Sequence, residues 1–406
     1  MKYKFIFLLA GILFLVSACL VWIGHKNTLH PEQIAFSKWY ALHSTHNRYG
    51  KEYTPVHEYS YTSPVLNIDQ IYRSMQGPTV SEPVSLATTW QKLKQYIGIS
   101  EVYWLVGYSV EIVNAEDNSV MSAEFMCHNN LNILYKEKMP WIARTYGTPL
   151  RLFTLTQGQT LIELPPGYGI PVLADQKLEV NSQVLNHNLP HIHMKVRHRV
   201  TIRYVKDSEL HTPLKPLFEQ SVVVTRQCKG PAGRYNDPVY AVKSDPLSFK
   251  DVDADPEPVC CSMEKRDSAE YNPYIDSYGR EFTGHWVFHP GGPEVLHTDV
   301  TQMLGLEYDT PLHFISVHVH PFCESLELID KTENKSIYKA GVQNASAKIG
   351  MDHIDYLVSA EGVIMHKNHR YELVSTYHNT TQSDQTAMAV MFLYLEDREG
   401  EIPLIP

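Results

Sequence analysis

The chain has 406 residues, 43% of them hydrophobic and 20% charged, with a formal net charge of −10. That length suits two hydrophobic cores, and the composition is globular rather than disordered. The charge is acidic and no Lys/Arg block occurs, which argues against nucleic acid as a partner.

Taken in chain order, Met1–Lys4 precede an uncharged apolar run, residues 5–23, about long enough to span a bilayer. Lys2 and Lys4 would keep the N-terminus cytoplasmic. Within the run, Leu-Val-Ser-Ala-Cys looks like a lipobox that would leave Cys19 as a lipidated N-terminus. The apolar continuation through Leu20, Val21, Trp22 and Ile23 instead suits an uncleaved anchor. Complete release is a third outcome; each places the remainder outside the cytoplasm, and the expectation is an extracytoplasmic protein, membrane-anchored through its N-terminus, in a bacterial periplasm or at a cell surface. Residues 1–24 are set apart from the fold on that ground.

Residues 25–57 read as a linker, with a short helix expected from about Pro31 to Leu42 because proline suits a helix start. Strand signals then dominate, short, β-branched and aromatic, over 100–113, 176–188, 193–205, 311–329 and 385–397. The best helical candidate is 85–97, and 228–280 is a long polar loop rich in Pro, Asp and Tyr. The expected fold is all-β: two antiparallel β-sandwich domains, 58–210 and 211–406. Of six cysteines, five remain without Cys19, so not all can pair internally; one of Cys260 and Cys261 is expected to reach a distant partner such as Cys228.

The segment His313–Leu328 contains His318 and His320 one residue apart, in a chain with 21 histidines. On a strand, Phe314, Ser316, His318, His320 and Phe322 share one face, and Ile315, Val317 and Val319 the other. Imidazoles at i and i+2 stand roughly 7 Å apart and can converge on a metal. The plainer alternative is two polar residues on a wet face. Further on, Met388, Val390, Phe392 and Tyr394 share a face. Two imidazoles with a Met388 thioether would favour copper, Cu(I) in particular, although most strand methionines only fill cores. The first block holds Cys127–His128 and then His187, His191, His193 and His198, with His191 and His193 repeating the HxH spacing. Spacing alone does not choose between His187 and that second pair.

The order of these elements resembles the copper type II, ascorbate-dependent monooxygenases, the family of the peptidylglycine α-hydroxylating and dopamine β-monooxygenases. The resemblance covers roughly residues 60–400 and implies two jelly-roll-like domains, each holding one copper across an open cleft. It gives His318, His320 and Met388 to the oxygen-activating copper, and His128 and His187 to the electron-transfer copper. Cys127 stands where the family has the first histidine of an adjacent pair, leaving a site of two histidines and a cysteine, two histidines, or no functional copper. His191 and His193 remain additional metal candidates. The dense disulfide set of the animal enzymes is missing. The implied activity is hydroxylation of a C–H bond of a small-molecule or peptide substrate, with O2 and ascorbate or another reductant and up to two coppers per chain.

Two non-catalytic alternatives stand beside it, a copper-binding or copper-storage protein on the same scaffold and a metal-free β-sandwich binding protein. A cupin-like iron or zinc site is a third; there Glu324 would join the HxH pair, although it lies one residue short of the usual spacing. Glu324 and Glu327 could orient the imidazoles or face solvent, and the Pro-Gly-Gly-Pro loop before His297 reads as structural.

Overall fold

This computed structural model describes residues 39, 40, 42, 44, 55–88, 100–134, 150–227, 274, 275 and 282–398. Trp39, Tyr40 and Leu42 are helical, within the helix expected over 31–42. Of the helix expected over 85–97, Ser85–Thr88 are described and are not helical. Cys19 and the Cys228, Cys260 and Cys261 pairing lie outside the described residues, as does most of the 228–280 loop.

The first half contributes β1 (His57–Thr62), β2 (Leu66–Ile68), β3 (Thr79–Val84), β4 (Val102–Asn114), β5 (Met126–Ile133), β6 (Leu150–Thr156), β7 (Leu161–Glu163), β8 (Tyr168–Leu173), β9 (Leu178–Val184) and β10 (Met194–Lys206). The second contributes β11 (Lys215–Val223), β12 (Arg226–Gln227), β13 (Phe282–Thr283), β14 (His285–Phe288), β15 (Glu294–Asp299), β16 (Thr310–Val319), β17 (Cys323–Asp330), β18 (Lys335–Asn344), β19 (Met351–Ile354), β20 (Leu357–Met365), β21 (Tyr371–Tyr377) and β22 (Gln385–Glu396). The architecture is predominantly β and sandwich-like.

One sheet runs through both halves in the order β1-β10-β4-β8-β11-β22-β16-β20, with β2, β7 and β14 attached to β10, β4 and β22. A four-stranded sheet, β3-β9-β5-β6, packs with its first part, and a five-stranded sheet, β15-β21-β17-β18-β19, with its second. The halves join in the large sheet where Lys215 and Pro216 of β11 pair in parallel with Tyr168 and Gly169 of β8.

Alternation along β16 and β22 places these strands between two cores. Phe314, Phe392 and Tyr394 belong to the first half's core, with Trp104, Tyr108 and Phe153. Ile315, Val317, Val319, Ala387, Ala389, Met391 and Leu393 belong to the second, with Trp286 and Phe288. All ten positions of β16 are buried. Tyr394 fastens the junction: its ring lies 5.9 Å from Phe153 and 5.4 Å from Phe314, and its hydroxyl donates to Leu152 O at 3.0 Å. Burying one such side chain contributes about 1.5–3 kcal/mol.

Two expectations are corrected. The stretch 311–329 is two strands in different sheets, divided at His320–Phe322. Pro321 follows His320, and Phe322 takes a left-handed φ of 73°, a conformation that turns the chain from one sheet to the next. The Asn344 side chain supports this turn, accepting from Phe322 N at 2.8 Å and donating to Cys323 O at 2.7 Å. The second correction concerns membrane anchoring. Among the described residues no helix is long and apolar enough to cross a membrane, which goes against the expected membrane-anchored placement. The run 5–23 on which that expectation rested lies outside the described residues.

Candidate metal centre

The inner face of the second half carries a row of imidazoles. His318 pairs in register with Val390 of β22, and the same register carried one step past β16 sets His320 against Met388. On the other edge of β22, β14 pairs His285 with Met388 and Trp286 with Ala387. Alternation sends Trp286 into the second core and leaves His285 on the Met388 face. Met388 is therefore flanked by His285 on one side and His320 on the other.

Ring contacts make the row continuous. His285 and His320 have centroids 5.3 Å apart, His320 and His318 5.7 Å, and His318 and His128 of the first half 5.9 Å, all edge to face. His187 comes from the first half close enough to His320 to influence its charge. It is held between two anchored asparagines. Asn186 donates to Gln70 O and Leu189 O, while Asn188 donates to Ile349 O and accepts from Ile349 N, tying this loop to the second half.

These rings are kept neutral. Burial holds His128, His187 and His285 down to about 4 and His318 to about 3, with His320 well below its ordinary value. Neighbouring imidazoles push the same way for His318 and His320, and Arg151 does so for His128 and His318. Neutral imidazole is the form that ligates metal.

Hydrogen bonds fix the available nitrogen of His320 and of His128. His320 Nδ1 donates to Thr386 O at 3.2 Å, so Nε2 carries the lone pair, and that atom is buried without a partner. Nε2 of His285 and of His187 and Nδ1 of His318 are likewise buried and unpartnered. His128 Nε2 meets Asn181 Oδ1 at 3.1 Å, which leaves its Nδ1 as the acceptor. Behind the row, Tyr377 sets the spacing: its hydroxyl accepts from His320 N at 3.2 Å and donates to Met388 O at 2.6 Å.

Unsatisfied buried nitrogens cost about 1–3 kcal/mol each unless a partner arrives. Imidazole–metal bonds of about 2.0–2.1 Å set two rings' centroids about 5–6 Å apart, so the observed spacings suit metal bridging. Among the described residues no three His, Cys, Asp or Glu side chains converge on one point. The arrangement is a row of pairs with a thioether at one end. Neutral nitrogens and a soft sulfur are a donor set that fits copper.

The other candidates lie elsewhere. Cys127 occupies a bulge of β5 and is buried, its thiol bonded to the Met75 backbone and pushed up by burial to about 11, which disfavours the thiolate. His191 and His193 are exposed in the connection before β10. His198 is fully buried and accepts from Asn129 Nδ2 at 3.0 Å within a core network that includes Tyr108 and Ser182. Glu324 is exposed and pairs with His378, and Glu327 with Lys339, so neither orients the HxH rings. His297 pairs with Glu372 at the surface. His285 is the residue that sequence reading passed over; the alternation of His-Trp-Val-Phe, with one polar member, was its signal.

No protein-family model matches the chain, and no curated protein matches it in sequence. Solved structures that resemble it are distant. A peptide-N(4)-(N-acetyl-β-D-glucosaminyl) asparagine amidase matches with TM-score 0.31 and 8% identity over 85% of this chain and 98% of the other. The STIV MCP matches with TM-score 0.29 and 8% identity over 84% and 97%. The major capsid protein P2 of bacteriophage PM2 matches with TM-score 0.24 and 9% identity over 84% and 100%. At these TM-scores the likenesses carry nothing about activity.

Proposed function

We propose that this protein binds copper at the junction of its two halves and uses it to hydroxylate a C–H bond of a small-molecule or peptide substrate, with O2 and ascorbate or another reductant. On this reading the halves are the two jelly-roll-like domains of the copper monooxygenase resemblance. The supporting observation is the row of neutral, buried imidazoles with free nitrogens, two of which, His285 and His320, flank Met388 in the strand register.

Bound copper would supply one-electron chemistry toward O2. The chain's own part is to hold that metal and tune it. His128, His318, His320 and His285 present lone pairs without first losing a proton, because burial has already neutralised them. The Met388 thioether favours the reduced state of the metal. Thr386 O fixes the His320 tautomer, and Tyr377 ties the His320 and Met388 backbones together.

A second reading, copper holding without turnover, is favoured by burial: His318 and His320 are 5% and 2% exposed. Ascorbate-dependent O2 consumption, measured with the hydroxylated product on the copper-loaded protein and on Met388→Ala, separates the two. Turnover that is abolished by the substitution supports the enzyme. Copper uptake without coupled product over a broad substrate panel leaves the holding protein, and no copper uptake leaves the metal-free one.

A further inference from the structure

We infer that the two histidines of the HxH motif serve different metals: His320 joins His285 and Met388 on one copper, while His318 joins His128 on the other. The inference rests on the copper reading above and re-divides its ligands. A division by halves would put His318 and His320 on the same metal and give His285 no part.

Three observations support the split. The first is the close approach of His285 and His320, each with a buried nitrogen free. His285 and His320 both present a buried, unpartnered Nε2, and their rings are the closest pair in the row at 5.3 Å. His318 instead has Nδ1 unpartnered, and its cross-half neighbour His128 has Nε2 occupied by Asn181 Oδ1, leaving Nδ1 there too. Among these rings a hydrogen bond fixes the tautomers of His320 and His128, and His187 adds a further buried Nε2 near enough to His320 to affect its charge.

The second is the strand register. Met388 is the direct cross-strand partner of His285, and cross-strand partners have Cβ atoms about 4.5–5.5 Å apart on the same face. His320 approaches Met388 from the opposite edge of β22, with its ring bonded to the Thr386 carbonyl two residues away. The thioether is therefore set between those two rings, while His318 lies one pair further along, against Val390.

The third is that no three of these imidazoles converge among the described residues. A site here therefore draws on imidazole pairs, and the His285–His320 end has the Met388 sulfur in register beside it. That end would make a soft nitrogen–sulfur site suited to Cu(I), and the His318–His128 end an all-nitrogen site bridging the halves.

The test loads the full chain with Cu(I) under reducing conditions and measures copper per chain together with X-ray absorption at the copper edge, which reports a sulfur neighbour. The parent is expected to hold about two coppers, one of them with sulfur. His285→Ala and the gentler His285→Gln should each lose about one copper together with the sulfur signal. His318→Ala and His128→Ala should lose about one copper and keep the sulfur signal. Far-UV circular dichroism checks each fold, and His285→Gln decides if the alanine variant unfolds. Sulfur retained in His285→Gln, or lost in His318→Ala, overturns the split while leaving copper binding intact. A parent that takes up no copper overturns the copper reading itself, and the split with it.

Discussion

The HxH spacing occurs twice, and the two copies have opposite surroundings. His318 and His320 lie at the end of a strand buried on both faces, with one imidazole from β14 and another from β5 brought against them. His191 and His193 stand exposed in the connection leading into β10. Identical spacing gives a candidate metal centre in one place and surface residues in the other. The difference lies in what the topology packs over the pair: β22 supplies Met388, and the other half supplies His128 and His187.

Metal content should divide the two copies most sharply. His318→Ala and His320→Ala are each expected to remove about one copper per chain, whereas the double change His191→Ala, His193→Ala leaves copper content unchanged. Loss of copper from the exposed pair alone would reverse the comparison.

Acid should act on the buried copy. In the unfolded chain His318 titrates near 6.5, while in the fold it is held at about 3, so below pH 6.5 the unfolded state binds the extra proton. The His318 contribution is therefore fully present above pH 6.5 and is lost as the pH drops toward the folded value. The loss attributable to His318 between pH 6.5 and 5 is about 2 kcal/mol, read from urea midpoints of the metal-free protein. His318→Gln should remove that share of the pH dependence, and an unchanged profile would place the ring in a wetter site.

Further along the same interface the sign reverses. Glu219, the cross-strand partner of Tyr394, is buried and raised to about 8 by desolvation, against the opposing pull of Arg151. The folded state then holds the extra proton between the ordinary carboxyl value and about 8. From pH 6.5 to 8 the histidine contribution is flat, and Glu219 should lower stability by up to about 1.4 kcal/mol per pH unit. Glu219→Gln is expected to flatten that limb of the urea-midpoint profile.

The smallest effect concerns Cys127. Cys127→Ala should leave copper content unchanged and cost about 1 kcal/mol for the small void it opens. A fall in copper content would instead place the thiol among the ligands.

Much of the fold was legible because period-two patterning survives even where both faces are apolar. The strands expected over 100–113, 193–205 and 385–397 correspond to Val102–Asn114, Met194–Lys206 and Gln385–Glu396. The shared face of Met388, Val390, Phe392 and Tyr394 was also readable. Less so was the wetness of the HxH face: a strand that separates two cores looks locally like one with a solvent side, because Ser316, His318 and His320 are polar. Register across strands is non-local, so the His-Trp-Val-Phe alternation could place His285 on one face but not say that this face would meet Met388. The Cys127 position failed for a related reason, since a bulge adds one residue and shifts the pairing between Met126 and His128.

The burial of β16 on both faces also sets the order in which the molecule opens. Amides of an outer strand are released by local fraying, but those of β16 sit under two cores and between β22 and β20. Their deuterium uptake should therefore follow global unfolding, making the strand that ends in the HxH pair among the last segments to exchange. Breathing of the five-stranded sheet or of the β1 edge would leave the spacing of the imidazoles undisturbed. A metal held there would be released at the pace of whole-molecule opening, a kinetic retention that does not depend on the affinity of any single ligand.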